Sequence, residues 1–151
     1  MNDEGRLSPL VERTLRRARL ALIWATRGIA SLVPEPQMAQ VEITNRCNLT
    51  CRTCTRLKLP ELGQMPFEDF RTLVDALGPV RRIWLSGQGE PLLHPDLARM
   101  IRHCAQRGIK ETIVHTNGML LDGAMAEGIA ESGLTELRIS IDGGTAEEMD
   151  Y

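Results

Sequence analysis

From residue 39 onward the chain switches between a two-residue and a helical hydrophobic period at regular intervals, and this alternation narrows its folds more than any other feature. Ala39–Thr44 (AQVEIT) alternates apolar and polar positions, as a strand with one covered face does. Pro66 then opens a helix that sets Phe67, Phe70, Val74 and Leu77 on one face, and Gly78-Pro79 stops it. Arg82–Ser86 (RIWLS) reads as a second strand. Pro95 starts another helix, with Leu97, Met100, Ile101 and Cys104 at i, i+3, i+4, i+7 and Gly108 at its end. Glu111–Val114 is a third strand, Asp122 caps a short helix running to Gly133, Leu137–Ile141 is a fourth strand, and Thr145 onward begins another helix. Such a series predicts βαβ units and a parallel sheet. Because these crossovers are right-handed almost without exception, the sheet must curl or stack in one sense. Parallel α/β folds hold ligands at the carboxyl ends of their strands, so the strand ends are where chemistry is expected.

A different segment precedes this series. Residues 7–33 read as a helix with Leu7, Leu10, Val11, Leu15, Leu22 and Ile29 among its apolar positions and arginines at 6, 13, 16, 17, 19 and 27. Two readings are open: a leader helix packed on the domain with solvated arginines, or a basic helix resting on an anionic membrane surface or a partner. Pro34 and Pro36 end it, giving residues 1–36 as helix and linker and 37–151 as the main domain.

With 151 residues the chain suits one main domain. A net charge of −2 gives no electrostatic case for a polyanionic partner, and 3% aromatic residues give none for base stacking, so no nucleic acid is expected. No apolar h-region follows the start, and the most apolar stretch, Leu20–Trp24, is far short of a bilayer span. A cytoplasmic protein is expected. Four cysteines are too few for a disulfide scaffold, and three of them fall within eight positions, which points to metal or redox chemistry.

Those three follow the first strand: Cys47, Cys51 and Cys54 form a C-x3-C-x2-C run. Thiolates so close on one loop can reach different metal atoms of one compact cluster and leave one metal open for another ligand. A zinc site needs a fourth ligand, here a histidine, and remains an alternative. Ferredoxin runs use another spacing and a fourth cysteine. Arg46, Arg52 and Arg56 would offset the thiolate charge. The second strand ends in Ser86-Gly87-Gln88-Gly89-Glu90-Pro91, where glycines let the backbone approach a ligand and Glu90 suits an ammonium group. The third ends in His115-Thr116-Asn117-Gly118 and the fourth in Ser140-Ile141-Asp142-Gly143, each readable alone as a turn. Four consecutive strands thus deliver small, polar or metal-binding residues to one rim.

Over roughly Gln40 to Tyr151 these motifs resemble the radical S-adenosylmethionine (SAM) superfamily, closest in wording to its molybdenum-cofactor and peptide-modifying members. The resemblance implies a partial (βα) barrel, here ending after about four units. It implies a [4Fe–4S] cluster on Cys47, Cys51 and Cys54, with the unique iron taking the amino and carboxylate groups of SAM. Gly87, Gly89, Glu90 and Pro91 would then lie by the methionine amino group. Thr116, Asn117, Ser140 and Asp142 would lie near its carboxylate or the ribose. The implied reaction is reductive cleavage of SAM to a 5′-deoxyadenosyl radical that abstracts hydrogen from a substrate, with flavodoxin or ferredoxin as electron donor. A cluster-binding electron-transfer or scaffold protein is the alternative. Two departures stand out. Thr53 occupies a position where the family usually has an aromatic residue, and the chain stops before the strands that complete the barrel, so a fragment of a longer enzyme is expected.

Four other residues have plainer readings: Cys104 as a buried thiol, His94 as a cap or turn residue, His103 on a helix surface, and Trp84 in the core. His115 is retained as a rim contact.

Overall fold

Four parallel strands, lying side by side in chain order, form one sheet: β1 (Met38–Gln40), β2 (Arg82–Trp84), β3 (Glu111–Thr116) and β4 (Glu136–Ile139). The computed structural model describes residues 35–145 and Glu148. The chain divides into two units, Met1–Glu35 and Pro36–Tyr151. The helix expected over 7–33 lies outside the described residues, as does nearly all of the one expected from Thr145 onward. Among the described residues no helix is long and apolar enough to cross a membrane.

Three helices join the strands: α1 (Phe67–Ala76), α2 (Leu97–Gln106) and α3 (Gly123–Ala130). In α1, Phe67, Phe70 and Val74 are buried at i, i+3 and i+7, and Glu68 and Asp69 sit in the first turn, where the helix dipole favours negative charge. In α2 the buried set is Leu97, Met100, Ile101 and Cys104. Asp122 caps α3 by accepting from the Met125 N–H at 2.8 Å. That helix stops at Ala130 rather than Gly133, because Ser132 folds its hydroxyl back onto the Ile129 carbonyl at 2.6 Å and Gly133 turns the chain at φ 89°.

The strands are offset from the sequence expectation for physical reasons. β1 leaves the ladder early. The Val41 N–H still donates to the Trp84 carbonyl at 2.8 Å, but Thr44 pairs antiparallel with Gln64, and the Met65 N–H donates to Ile43 at 2.8 Å. β3 runs two residues longer than expected because β4 pairs with it as far as Thr116↔Ile139.

The sheet has two unlike faces. Ile83, Leu85, Val114 and Leu137 belong with the helices' apolar stripes to one core, around the fully buried Phe70, Met100 and Ile101. Alternate residues along each strand therefore face the other way. That second face carries Gln40, Trp84, Ser86, His115, Asn117 and Ser140 along the wall of one cavity. Trp84 is thus not a core residue: it is only partly buried and stands on the cavity face, because Ile83 and Leu85 hold the core register.

His103 also departs from its expected place. It is half-buried against Phe67, edge to face, and its Nε2 lies 3.0 Å from Asp75. His94 is buried and takes the turn role expected of it, its Nδ1 accepting from the Asp96 N–H at 3.1 Å. Cys104 is fully buried, and desolvation pushes its thiol up to about 12.

One buried charge ties the strand ends together. Glu90, 2% exposed, accepts from the Leu92 N–H (2.9 Å) and the Thr116 hydroxyl (2.8 Å) through Oε1, and from the Asn117 N–H (2.8 Å) through Oε2. The loop after β2 is thereby fastened to the end of β3. Glu90→Gln, which turns an acceptor oxygen into a donor facing donors, should lower unfolding free energy by about 1–3 kcal/mol in urea titration. Alkylation of the native, cluster-free chain at pH 8 should label three thiols quickly, with Cys104 reacting only on unfolding; four equal rates would contradict its burial.

Candidate active site

The loop after β1 is built to hold its cysteines at the strand ends. Thr44 donates its hydroxyl to the Gly63 carbonyl at 3.0 Å and accepts from the Arg46 N–H at 3.1 Å. Asn45 clamps the same return segment, accepting from the Gly63 N–H at 2.6 Å and donating to Glu61 at 3.1 Å. The Glu90 N–H then donates to the Arg46 carbonyl at 2.8 Å, docking the cysteine loop against the loop after β2. That docking requires glycine at 89, since a Cβ there would run into the carbonyls of Thr44 and Arg46. A Cβ at Gly87 would likewise meet the Glu42 side chain. Here the glycines let one loop approach another as well as lining the cavity.

All four cysteines are free thiols; Cys51 is exposed, and Cys47 and Cys54 are half-buried. The Leu49 N–H points at Cys47 Sγ and the Arg56 N–H at Cys54 Sγ, each at 3.4 Å. Arg56, 8% exposed, reaches back with Nη2 to the Leu49 carbonyl at 2.6 Å, bracing the loop from inside and placing a buried cation beside it. From β3, Asn117 extends Nδ2 to the Asn48 Oδ1 at 2.8 Å and to Cys47 Sγ at 3.8 Å. Among the described residues no three histidine, cysteine or acidic side chains converge on one metal ion.

A cavity of about 280 Å³ opens at this rim. Of the residues singled out from sequence, Cys47, Cys51, Gly87, Gly89, Glu90, Thr116, Asn117 and Ser140 line it. Cys54 lies on the same loop but off the wall, Pro91 is buried in the short 3-10 turn Pro91–Leu93, and Asp142 is exposed and outside the lining. Glu90 is on the wall, yet its carboxylate is engaged by three donors of its own chain. The sequence reading kept His115 and missed Gln40, Leu49 and Trp84. The strand period was the available signal for Trp84, which stands two residues before Ser86.

Below the rim the same face is charged. Arg82 pairs with Glu111 at 2.5 Å, and Arg138 with Glu136. The hydrogen bond from Arg138 holds the Glu136 carboxyl below the usual range and raises the guanidinium in turn.

The chain is 30% identical over 119 residues to the AdoMet-dependent heme synthase of Methanosarcina barkeri, covering 76% of this chain and 34% of that protein. It is 35% identical over 106 residues to the tungsten-containing aldehyde ferredoxin oxidoreductase cofactor-modifying protein of Pyrococcus furiosus, covering 68% and 30%. The chain thus spans about a third of the length of these relatives. Its fold superposes on BtrN, solved in complex with AdoMet and 2-DOIA, with a TM-score of 0.63 at 25% identity, covering 70% of this chain and 46% of that one. A family model, the radical SAM superfamily, matches residues 41–150. With four parallel strands, a cysteine loop at the first of them and this match over most of its length, the chain belongs to the radical SAM superfamily.

Proposed function

We propose that this chain is the cofactor-binding part of a radical SAM enzyme, with a [4Fe–4S] cluster on Cys47, Cys51 and Cys54 and SAM lying along the rim formed by the ends of β2, β3 and β4. SAM and a [4Fe–4S] cluster are the cofactors of the family to which it belongs. The observation that carries the reading is that Cys47 and Cys51 share one cavity wall with Gly89, Asn117 and Ser140, which come from three different strand ends. The donor set suits the cluster: three free thiols on one loop, two of them with a backbone N–H at 3.4 Å. Buried Arg56 offsets part of the negative charge such a set would collect.

When bound, the pair supplies one-electron cleavage of the sulfonium and a 5′-deoxyadenosyl radical that takes hydrogen from the substrate. This chain's own residues place the parts. Thr44, Asn45 and Arg56 set the cysteine loop. Glu90 locks the β2 loop against β3, which makes it a positioning residue, and it would lie by the methionine amino group of bound SAM. Asn117 braces Cys47 from β3. Ser140 offers a hydroxyl from β4. Flavodoxin or ferredoxin is the electron donor that fits the chemistry.

Anaerobic reconstitution with iron and sulfide, followed by dithionite and SAM, tests the reading. A brown protein with nearly four irons per chain that yields 5′-deoxyadenosine is expected. A brown protein without 5′-deoxyadenosine would favour electron transfer or a scaffold, and a colourless protein with one zinc would overturn both. Cys51→Ala should lose the chromophore. Asn117→Ala should keep it but lower the reduction potential of the cluster, read by electrochemical titration, because a hydrogen bond to a ligating sulfur favours the reduced state.

A further inference from the structure

The cavity face continues beneath the rim with a second layer of side chains that the cofactor reading does not use. Two residues before Ser86 stands Trp84 on β2, and two residues before Asn117 stands His115 on β3. A strand returns to the same face every second residue, and the ladder sets Trp84 level with Ile113, so His115 stands one step nearer the rim, beside Ser86. Both residues line the cavity. Their rings pack with centroids 5.3 Å apart at 36°, and the Arg138 guanidinium sits 5.3 Å from the centre of the Trp84 ring.

Two atoms of this layer are unsatisfied. Trp84 Nε1 and His115 Nε2 are buried and have no hydrogen-bond partner among the described residues. An indole N–H can only donate, and an imidazole Nε2 donates when it carries the proton. Leaving a buried donor unpaired is costly, and native structures carry few such groups. The neighbouring polar groups are already engaged: the His115 N–H donates to Ser86 Oγ at 3.3 Å, and Gln40 Nε2 donates to the Ser86 carbonyl at 3.1 Å. Trp84 Nε1 can be satisfied only by an acceptor, and both residues line the cavity, which is open to one.

We propose that Trp84 and His115 are a substrate-recognition pair that binds an oxyanion of the substrate, a carboxylate or phosphate, beneath the cofactor rim. An anion is favoured over a neutral acceptor because Arg138 lies against the same indole and charge-assisted hydrogen bonds are about twice as strong as neutral ones. The Glu136 carboxylate engages Arg138 through Nε. The proposal rests on the radical SAM reading, which makes this layer the place from which a substrate faces the rim.

Calorimetric titration of the full chain, reconstituted with iron and sulfide and saturated with SAM, tests it with citrate and pyrophosphate as anionic probes and glycerol as the neutral control. At least one anion should bind saturably while glycerol does not. Trp84→Phe, which keeps the ring and removes only the donor, should weaken that binding about tenfold, as should His115→Leu. His115→Gln, with an amide N–H at similar reach, should retain most of it. Absence of saturable binding by either anion would overturn the proposal, as would equal affinity in wild type and both donor-deleting variants. Chromophore, iron content and SAM binding are scored on the same samples, so their loss would count against the cofactor reading. Repeating the anion titration on the cluster-free chain then decides the Trp84–His115 pair independently.

Discussion

The Glu90 carboxylate sits where a charge survives only if its oxygens are hydrogen-bonded, and its three donors come from two different parts of the rim. One donor is in its own turn, and the other two are at the end of β3. Its backbone N–H reaches a third part, the Arg46 carbonyl in the cysteine loop. This single residue therefore couples the ends of β1, β2 and β3, which the parallel sheet merely brings near one another. A rim made of three separate loops becomes one surface, and the cysteines are presented from a fixed base.

That surface is layered. The two-residue period sends one set of side chains from each strand into the core against the helices and the alternate set into the cavity. Along the cavity face the upper layer holds thiols, an amide and a hydroxyl, the middle layer an aromatic pair beside a guanidinium, and the lowest the Arg82–Glu111 ion pair. Cofactor chemistry and substrate recognition can then occupy successive layers of the same strands, so that either can change without rebuilding the core.

Much of this was legible in the residues. The order of strands and helices, the parallel sheet and the shared rim follow from hydrophobic period and from Gly and Pro punctuation, and the helix faces Phe67/Phe70/Val74 and Leu97/Met100/Ile101/Cys104 are buried as that period requires. Strand lengths were less legible, because they depend on the partner: β1 is drawn away by Gln64, and β3 is prolonged by β4. Trp84 was misplaced because an apolar run, Ile-Trp-Leu, reads as a strand covered on both faces, and only the sheet shows which face is open. The roles of Gly89 and Glu90 in joining loops depend on contacts with Thr44, Arg46 and Thr116, far away in sequence, that no local pattern encodes.

The central claim is that the cluster held by Cys47, Cys51 and Cys54 presents one iron to SAM. Pulsed electron–nuclear double resonance on the reduced, reconstituted chain, with SAM carrying ¹⁵N in its amino group and ¹⁷O in its carboxylate, addresses that iron directly. Hyperfine coupling to both labels is the predicted result. A reduced cluster whose spectrum shows neither coupling and does not change when SAM is added would contradict the account.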